Sequence, residues 1–265
     1  MLPFKRILFP IDFSDPSFSE HSIGAARYVE AFTGRFDADL TLLHVIGPPQ
    51  YNDILLRSRE EEREHLERYL ADEFEYFRVE RVLVEGDPAA KILETARSHG
   101  SDLIMMPTHG AGRFRRFLLG SVTAKVLHDA DCPVWTGVHL ENAPPLEKIE
   151  FRKLLCAVNR GEHAKVVLGA ASELAEEYRA ELAVVHVAGS PDRAEDVKAL
   201  VRQKAPGAEL RIERGEIPIT VACAAARMGA DLLVIGRSPS PGVAGRLREH
   251  AYPIIRQSPC PVISV

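Results

Sequence analysis

The 265-residue sequence contains one tryptophan, four cysteines and no apolar run approaching the roughly 20 residues of a membrane-spanning helix. That last absence argues against a membrane protein and a membrane partner. Cys132, Cys156, Cys223 and Cys260 lie far apart with no C-x-x-C pair, so neither a zinc framework nor a disulfide scaffold is implied. They read as small core residues in a reduced compartment. Excess positive charge is also missing. Lysine and arginine total 33 against 38 acidic residues, and the net charge of -5 argues against holding nucleic acid by bulk electrostatics. The start, Met1-Leu2-Pro3-Phe4-Lys5-Arg6, runs straight into a strand and leaves no room for a signal peptide. The expectation is a cytoplasmic protein. Finally, no Gly-x-x-x-x-Gly-Lys is present, which removes the common phosphate loop of ATP-hydrolysing enzymes.

What is present is a repeat. Phe4-Lys5-Arg6-Ile7-Leu8 returns as Phe151-Arg152-Lys153-Leu154-Leu155, and Leu42-Leu43-His44-Val45 as Val184-Val185-His186-Val187. Gly100-Ser101-Asp102-Leu103-Ile104 returns as Gly229-Ala230-Asp231-Leu232-Leu233, and Cys132-Pro133-Val134 as Cys260-Pro261-Val262. Four segments recurring in order imply a duplicated domain of about 130 residues, near the usual domain size. The copies are placed at residues 1–141 and 150–265, joined through Glu141-Asn142-Ala143-Pro144-Pro145-Leu146. The 46% hydrophobic content is ample for two cores.

Within the first copy, β-rich runs at residues 5–11, 39–46, 79–85, 102–107 and 133–139 alternate with helical spacing at 17–33, 52–77, 88–99 and 120–129. The second copy predicts strands at 153–159, 181–188, 208–214, 231–236 and 260–265, with helices at 163–178, 192–204, 217–228 and 246–257. Five strands alternating with four helices mean an α/β fold, a parallel sheet covered by helices on both faces.

The chemistry concentrates after the fourth strand. There Pro107-Thr108-His109-Gly110 is followed by nine residues and then by Gly120-Ser121-Val122, which opens a helix. Strand, glycine-punctuated loop and helix start together offer bare N–H groups, a positive helix end and a hydroxyl to an anion. The reading is a phosphate cradle for a nucleotide. A plainer one stands beside it, Gly120 as a turn and Ser121 as a cap. Asp12 ends the first strand and is either a site carboxylate or a helix cap. Arg113, Arg115 and Arg116 could neutralise phosphates or simply be solvated, and His109 could touch a ligand. Gly86-Asp87-Pro88 reads as a helix entry. His44 and His186 recur at the ends of second strands, which points to a role in the fold more than to a metal.

Ile7-Leu8-Phe9-Pro10-Ile11-Asp12-Phe13-Ser14, Leu43-His44-Val45, Gly86-Asp87-Pro88 and the Gly110/Gly120-Ser121 loop resemble the universal stress protein family, here as two UspA-like domains in tandem. The resemblance implies two five-stranded sheets of order 3-2-1-4-5, like those of adenine-nucleotide alpha-hydrolases, forming an intramolecular pseudo-dimer through their fifth strands, Cys132–His139 and Cys260–Val265. A further homodimer is compatible with it. It also implies a ligand at the crevice between strands one and four. The ATP-binding branch carries G-x-x-G, nine residues, then G-S or G-T. Here Gly110, the gap and Gly120-Ser121 match, whereas Pro107 replaces the first glycine, removing an N–H and fixing φ. By the same resemblance, Asp12 and the backbone of Val45 address the adenosine end, while Gly110, Gly120, Ser121 and Val122 hold phosphates. ATP or another adenine nucleotide, with or without Mg²⁺, is thus the implied ligand of a regulatory stress-response protein.

The second copy departs further. Asn159 stands in the place of Asp12, and Arg248-Glu249 fall where Gly120-Ser121 would be, so this copy is not expected to hold a nucleotide in the same way. Two rival readings remain: a nucleotide-free interaction module, with Pro107 marking a lost site, and a slow ATP hydrolase.

Overall fold

The computed structural model describes residues 4–12, 19–47, 58–108, 119–137, 140–188, 194–237 and 250–265. The predicted alternation is present throughout. In chain order the elements are β1 (Arg6–Ile11), α1 (Ser19–Phe36), β2 (Asp39–Ile46), α2 (Arg59–Arg68), β3 (Val79–Glu85), α3 (Pro88–Ser98), β4 (Leu103–Pro107), α4 (Ser121–Asp129) and β5 (Val134–Gly137). The second copy continues with β6 (Lys153–Ala157), α5 (His163–Tyr178), β7 (Glu181–Val187), α6 (Glu195–Lys204), β8 (Glu209–Glu213), α7 (Ile217–Met228), β9 (Leu232–Ile235), α8 (Tyr252–Gln257) and β10 (Val262–Ser264).

The chain divides into two compact units. One takes Pro3–Cys132 with Leu140–Ile149, the other Pro133–His139 with Glu150–Val265. In the first, the strand order is β3-β2-β1-β4; in the second it is β8-β7-β6-β9-β10, followed by β5. The second copy therefore has the expected 3-2-1-4-5 order. Its last strand pairs antiparallel with β5, Ile263 opposite Trp135. The other strand pairs within each unit are parallel. The β5–β10 pair is cross-stitched by side chains: the Thr136 hydroxyl donates to the Val262 carbonyl, and the Ser264 hydroxyl to that of Val134. Fifth strands do pair, as the resemblance implied. The compact unit that holds them, however, takes its β5 from the first copy's sequence.

Consecutive residues of the inner strands are buried whichever way they point. Ile7, Leu8 and Phe9 in β1 and Leu103 to Met106 in β4 are all covered, which requires packing on both faces of the sheet. Met105 and Met106 are thus core, as read. Phe4, Phe32 and Phe36 form an aromatic cluster at one end of the first core, with ring centroids 5.2–6.2 Å apart. A repeated clamp ties the central strands of each unit. Asp102 accepts from the N–H groups of Lys5 and Arg6 at 2.9 and 3.0 Å, and Asp231 from those of Arg152 and Lys153 at 2.8 Å each.

One helix departs from its prediction. Helical spacing suggests 52–77, of which 52–57 lie outside the described residues, yet α2 stops at Arg68. Tyr69 is extended and Leu70 takes a left-handed φ of 53°, turning the chain so that Leu70 and Phe74 bury and Phe74 meets the edge of Phe9. Burial of two large side chains outweighs continuation of a helix. The helix begins as a capping box, Ser58 reciprocating with Glu61. The cysteines also split. Cys156 and Cys260 are buried, and burial pushes the Cys260 thiol up to about 12, whereas Cys223 is exposed on α7, against the expectation of a core residue.

Candidate functional site

The carboxyl ends of β1, β2 and β4 converge in the first unit, and their register decides which residues meet there. Ile11 pairs with His44 and Leu8 with Ile104. One step beyond the first pair Asp12 comes level with Val45, while β1 and β4 pair through Ile7–Leu103 and Leu8–Ile104 and Thr108 follows the end of β4 on the other side. The three residues form a row across the strand ends. Neighbouring β2 and β4 lie on opposite sides of β1, so the row spans the point where strand order reverses, and crevices of this kind favour ligands. Asp12 is exposed and Val45 half-buried. On β2 the peptide of Asp39 faces β1, donating to Lys5, and that of Leu40 faces β3, donating to Arg78. By this alternation the Val45 peptide faces the β1 side, at the level where β1 ends.

Two hydrogen bonds fasten the start of α4 to the end of β4. The Gly120 N–H donates to the Thr108 carbonyl (3.0 Å), and the Thr123 hydroxyl to the Pro107 carbonyl (3.2 Å). The first changes an expectation. Gly120 was expected to turn its N–H toward phosphate, but seating the helix against the strand consumes that donor. What Gly120 supplies instead is an N-cap without a side chain. The N–H groups of Ser121, Val122 and Thr123 open the helix, ahead of which there is no intrahelical carbonyl for them. The contrast with α3 is instructive. There Gly86 turns the chain at a φ of 138°, the Asp87 carboxylate accepts from Ala90, and Pro88 occupies the first turn. That N–H and Lys125 hold the Asp87 carboxyl below the usual range. Gly86-Asp87-Pro88 is a helix entry.

Asp12, Val45, Pro107, Ser121 and Val122 thus belong to one end of the first unit. His109 and Gly110, with Arg113, Arg115 and Arg116, lie outside the described residues, as do Arg248 and Glu249. Thr108, part of the quoted stretch, and Thr123 fix the helix start, a role that only the two hydrogen bonds reveal. No group of three or more His, Cys, Asp or Glu side chains suited to a metal occurs among the described residues. Likewise no described helix is long and apolar enough to cross a membrane.

The second unit repeats the row with other residues. Ala157 pairs with Val185 and with Ile235, and Asn159, Val187 and Arg237 each follow two residues later along their chains. Beside it lies a cavity of about 160 Å³ lined chiefly by valine and isoleucine, with Asn159, His163, His186 and His250 as its polar members. Sequence reading missed this hollow, because its histidines come from three separate elements.

Comparison with known proteins agrees with the geometry. The model of the Universal stress protein family matches residues 3–136 and 189–265. Two universal stress proteins of Methanocaldococcus jannaschii, MJ0531 and MJ0577, are 33% and 31% identical over 142 and 155 residues. Each match takes in 49% of this chain and 80% or 93% of the relative. Among solved structures, a universal stress protein from Archaeoglobus fulgidus superposes with a TM-score of 0.78 at 23% identity, covering 100% of this chain and 97% of its own. A functionally unknown protein of Pseudomonas aeruginosa gives 0.69 at 19% identity, covering 99% and 92%. At these identities the two structures establish the shared fold.

Proposed function

Because the chain belongs to the universal stress protein family, we propose that its first unit binds an adenine nucleotide and acts as a regulator rather than a catalyst. The observation that carries this reading is that Val45, Asp12 and Thr108 all stand at the strand ends beside the strand-order reversal, with the α4 start hydrogen-bonded to Thr108. Such an arrangement divides the ligand's chemistry by position. The Asp12 carboxylate accepts from ribose hydroxyls, and the Val45 peptide faces the base. The N–H groups of Ser121 and Val122 meet phosphate where the helix dipole is positive. The Ser121 hydroxyl adds a further donor. Gly120 itself supplies no side-chain cap to this helix end.

Hydrolysis finds little support. No lysine follows Gly120 as in a phosphate loop, and Asp12 is the one carboxylate in the row. Gly120's committed N–H and Pro107's missing one favour the competing reading of a nucleotide-free interaction module, since both subtract donors.

Calorimetric titration with ATP, ADP and AMP, with and without Mg²⁺, decides between binding and no binding. Saturable heat at or below millimolar ligand, lost in Asp12→Ala, supports the site. Absence of heat for all three nucleotides overturns it in favour of the module. Mass spectrometry of the protein as purified is an independent check, because a co-purified adenine nucleotide contradicts the module.

A further inference from the structure

We propose that Glu62 on α2 is a positioning residue for the carboxyl end of β1. It holds the ring of His44, and through that ring the peptide that carries Asp12. Its consequence for ligand affinity rests on the nucleotide reading of the same strand ends.

The chain of contacts starts at a carbonyl. The Ile11 oxygen can only accept, so the His44 Nδ1 that lies 3.1 Å away carries a hydrogen and donates. A peptide is planar, and this carbonyl shares its plane with the N–H of Asp12. The bond therefore fixes the plane from which Asp12 departs. Nε2 is the ring's other polar atom, and it faces the Glu62 Oε2 at 3.8 Å. Two bare acceptors would repel at that range, whereas a protonated Nε2 attracts the carboxylate.

Burial gives the pair its weight. The side chains of His44 and Glu62 are 6% and 16% exposed, so solvent screens their interaction little. Exposed ion pairs contribute little to a structure, but removing one member of a buried pair leaves the other uncompensated. Leu66, one turn beyond Glu62, is also buried, which sets this face of α2 inward. Neighbouring charges are engaged elsewhere. Arg59 pairs with Glu85 at 3.3 Å, both more than half exposed, and Arg81 donates to the Leu66 and Tyr69 carbonyls.

The second unit supplies the contrast. His186 makes the same Nδ1 contact with Val158 at 2.9 Å, ahead of Asn159. Its α6 turns Val197 and Val201 inward, while Glu195 and Asp196 are exposed and pair with Lys198 and Arg160. Among the described residues, a helix carboxylate backs the histidine of the unit that leads into Asp12, and none backs that of the unit leading into Asn159.

Glu62→Gln and Glu62→Leu test this on the full chain. A glutamine amide can donate to a neutral Nε2 and keep the Nδ1 bond in place, and leucine cannot. In ¹⁵N spectra of the histidine rings, the His44 Nδ1 should stay protonated in the parent and in Glu62→Gln. In Glu62→Leu its hydrogen should exchange between the two nitrogens, and the Asp12 amide signal should move. His186 should be unmoved in both variants. Adenosine affinity should fall roughly tenfold in Glu62→Leu and recover to within about threefold of the parent in Glu62→Gln. If Glu62→Leu does not fold, the parent ring decides, since a His44 hydrogen found on Nε2 alone contradicts the contact with Ile11. A His44 ring and Asp12 amide indifferent to Glu62→Leu would overturn the proposal. So would adenosine affinities equal in all three chains. Should the parent bind no adenosine, the nucleotide reading fails, and the ring and amide signals still decide the role of Glu62.

Discussion

The Nδ1 of His44 lies 3.1 Å from the carbonyl oxygen of Ile11, the last residue of β1, and His186 repeats the contact with Val158 at 2.9 Å. Both imidazoles are buried. Each pins the end of its second strand to the end of the first, where Asp12 or Asn159 follows. The repeated histidine is thus a structural fastener, as its recurrence in the sequence suggested. Replacing it by phenylalanine removes this contact and overfills a buried site, which together cost roughly 1–3 kcal/mol. His44→Phe and His186→Phe should each lower the urea midpoint by that equivalent at unchanged m-value. Loss of less than a few tenths of a kcal/mol in both would show the contact to be incidental.

Ser121→Pro tests the phosphate end of the proposed nucleotide site without breaking the helix. Ser121 is the first helical residue, and Gly120 already has the φ of -59° and ψ of 146° that suit a residue before proline. The substitution deletes one N–H and one hydroxyl. A lost hydrogen bond to a charged group is worth roughly 1.5–3 kcal/mol, so ATP affinity should fall on the order of 10- to 100-fold. Adenosine affinity should not change. Equal losses for both ligands would mean that Ser121 does not meet phosphate.

Asp12→Asn probes the other end. Because the carboxylate is exposed, the variant should still fold. Affinity for adenosine, ATP and AMP should fall together, by roughly tenfold, as a charge-assisted bond to ribose becomes a neutral one. A drop confined to ATP would reassign Asp12 to the metal or phosphate end.

Gly24→Ala is a packing test in the first unit. A Cβ there would stand 2.1 Å from the Leu140 carbonyl oxygen and 3.2 Å from the Ala143 Cβ, so backbone must move. Overpacking of this kind costs roughly 1–3 kcal/mol or more, for a melting temperature lower by about 5 °C. An unchanged melting temperature would show that the turn at residues 140–142 is not seated on α1.

Partial burial, and then the charge of Glu73, push the Glu30 carboxyl above its usual value of 4.5. The folded chain therefore binds this proton more tightly than the unfolded chain does. Stability from this group is fully present below about pH 4 and is lost as pH rises through the folded value. Glu30→Gln should accordingly melt higher than the parent at pH 7, and the gap should close toward pH 4. A gap that widens on acidification would mean the shift has the opposite sign.

Element order was legible because its signals are local. The helices at 163–178 and 217–228 and the strands at 39–46 and 79–85 sit where alternation and helical spacing put them. Helix α2 ran past its true end in the sequence reading, since the turn at Tyr69 and Leu70 answers to Phe9, about sixty residues away in the chain. The site was legible in part. Asp12, Val45 and Ser121 could be named from a motif, but the motif could not show that Gly120 gives its N–H to Thr108. Nor could it reveal the second cavity, whose histidines meet only when α5, β7 and the segment entering α8 are brought together.

By itself, then, the sequence determined the duplication, the alternating α/β order and the glycine-opened helix after β4, all carried by spacing between near neighbours. Tertiary structure alone decided the rest: which N–H groups are consumed in packing, which cysteines are buried, and which side chains line the hollow of the second unit. Those outcomes depend on contacts between distant segments, and strand register settles them only once the sheet has formed.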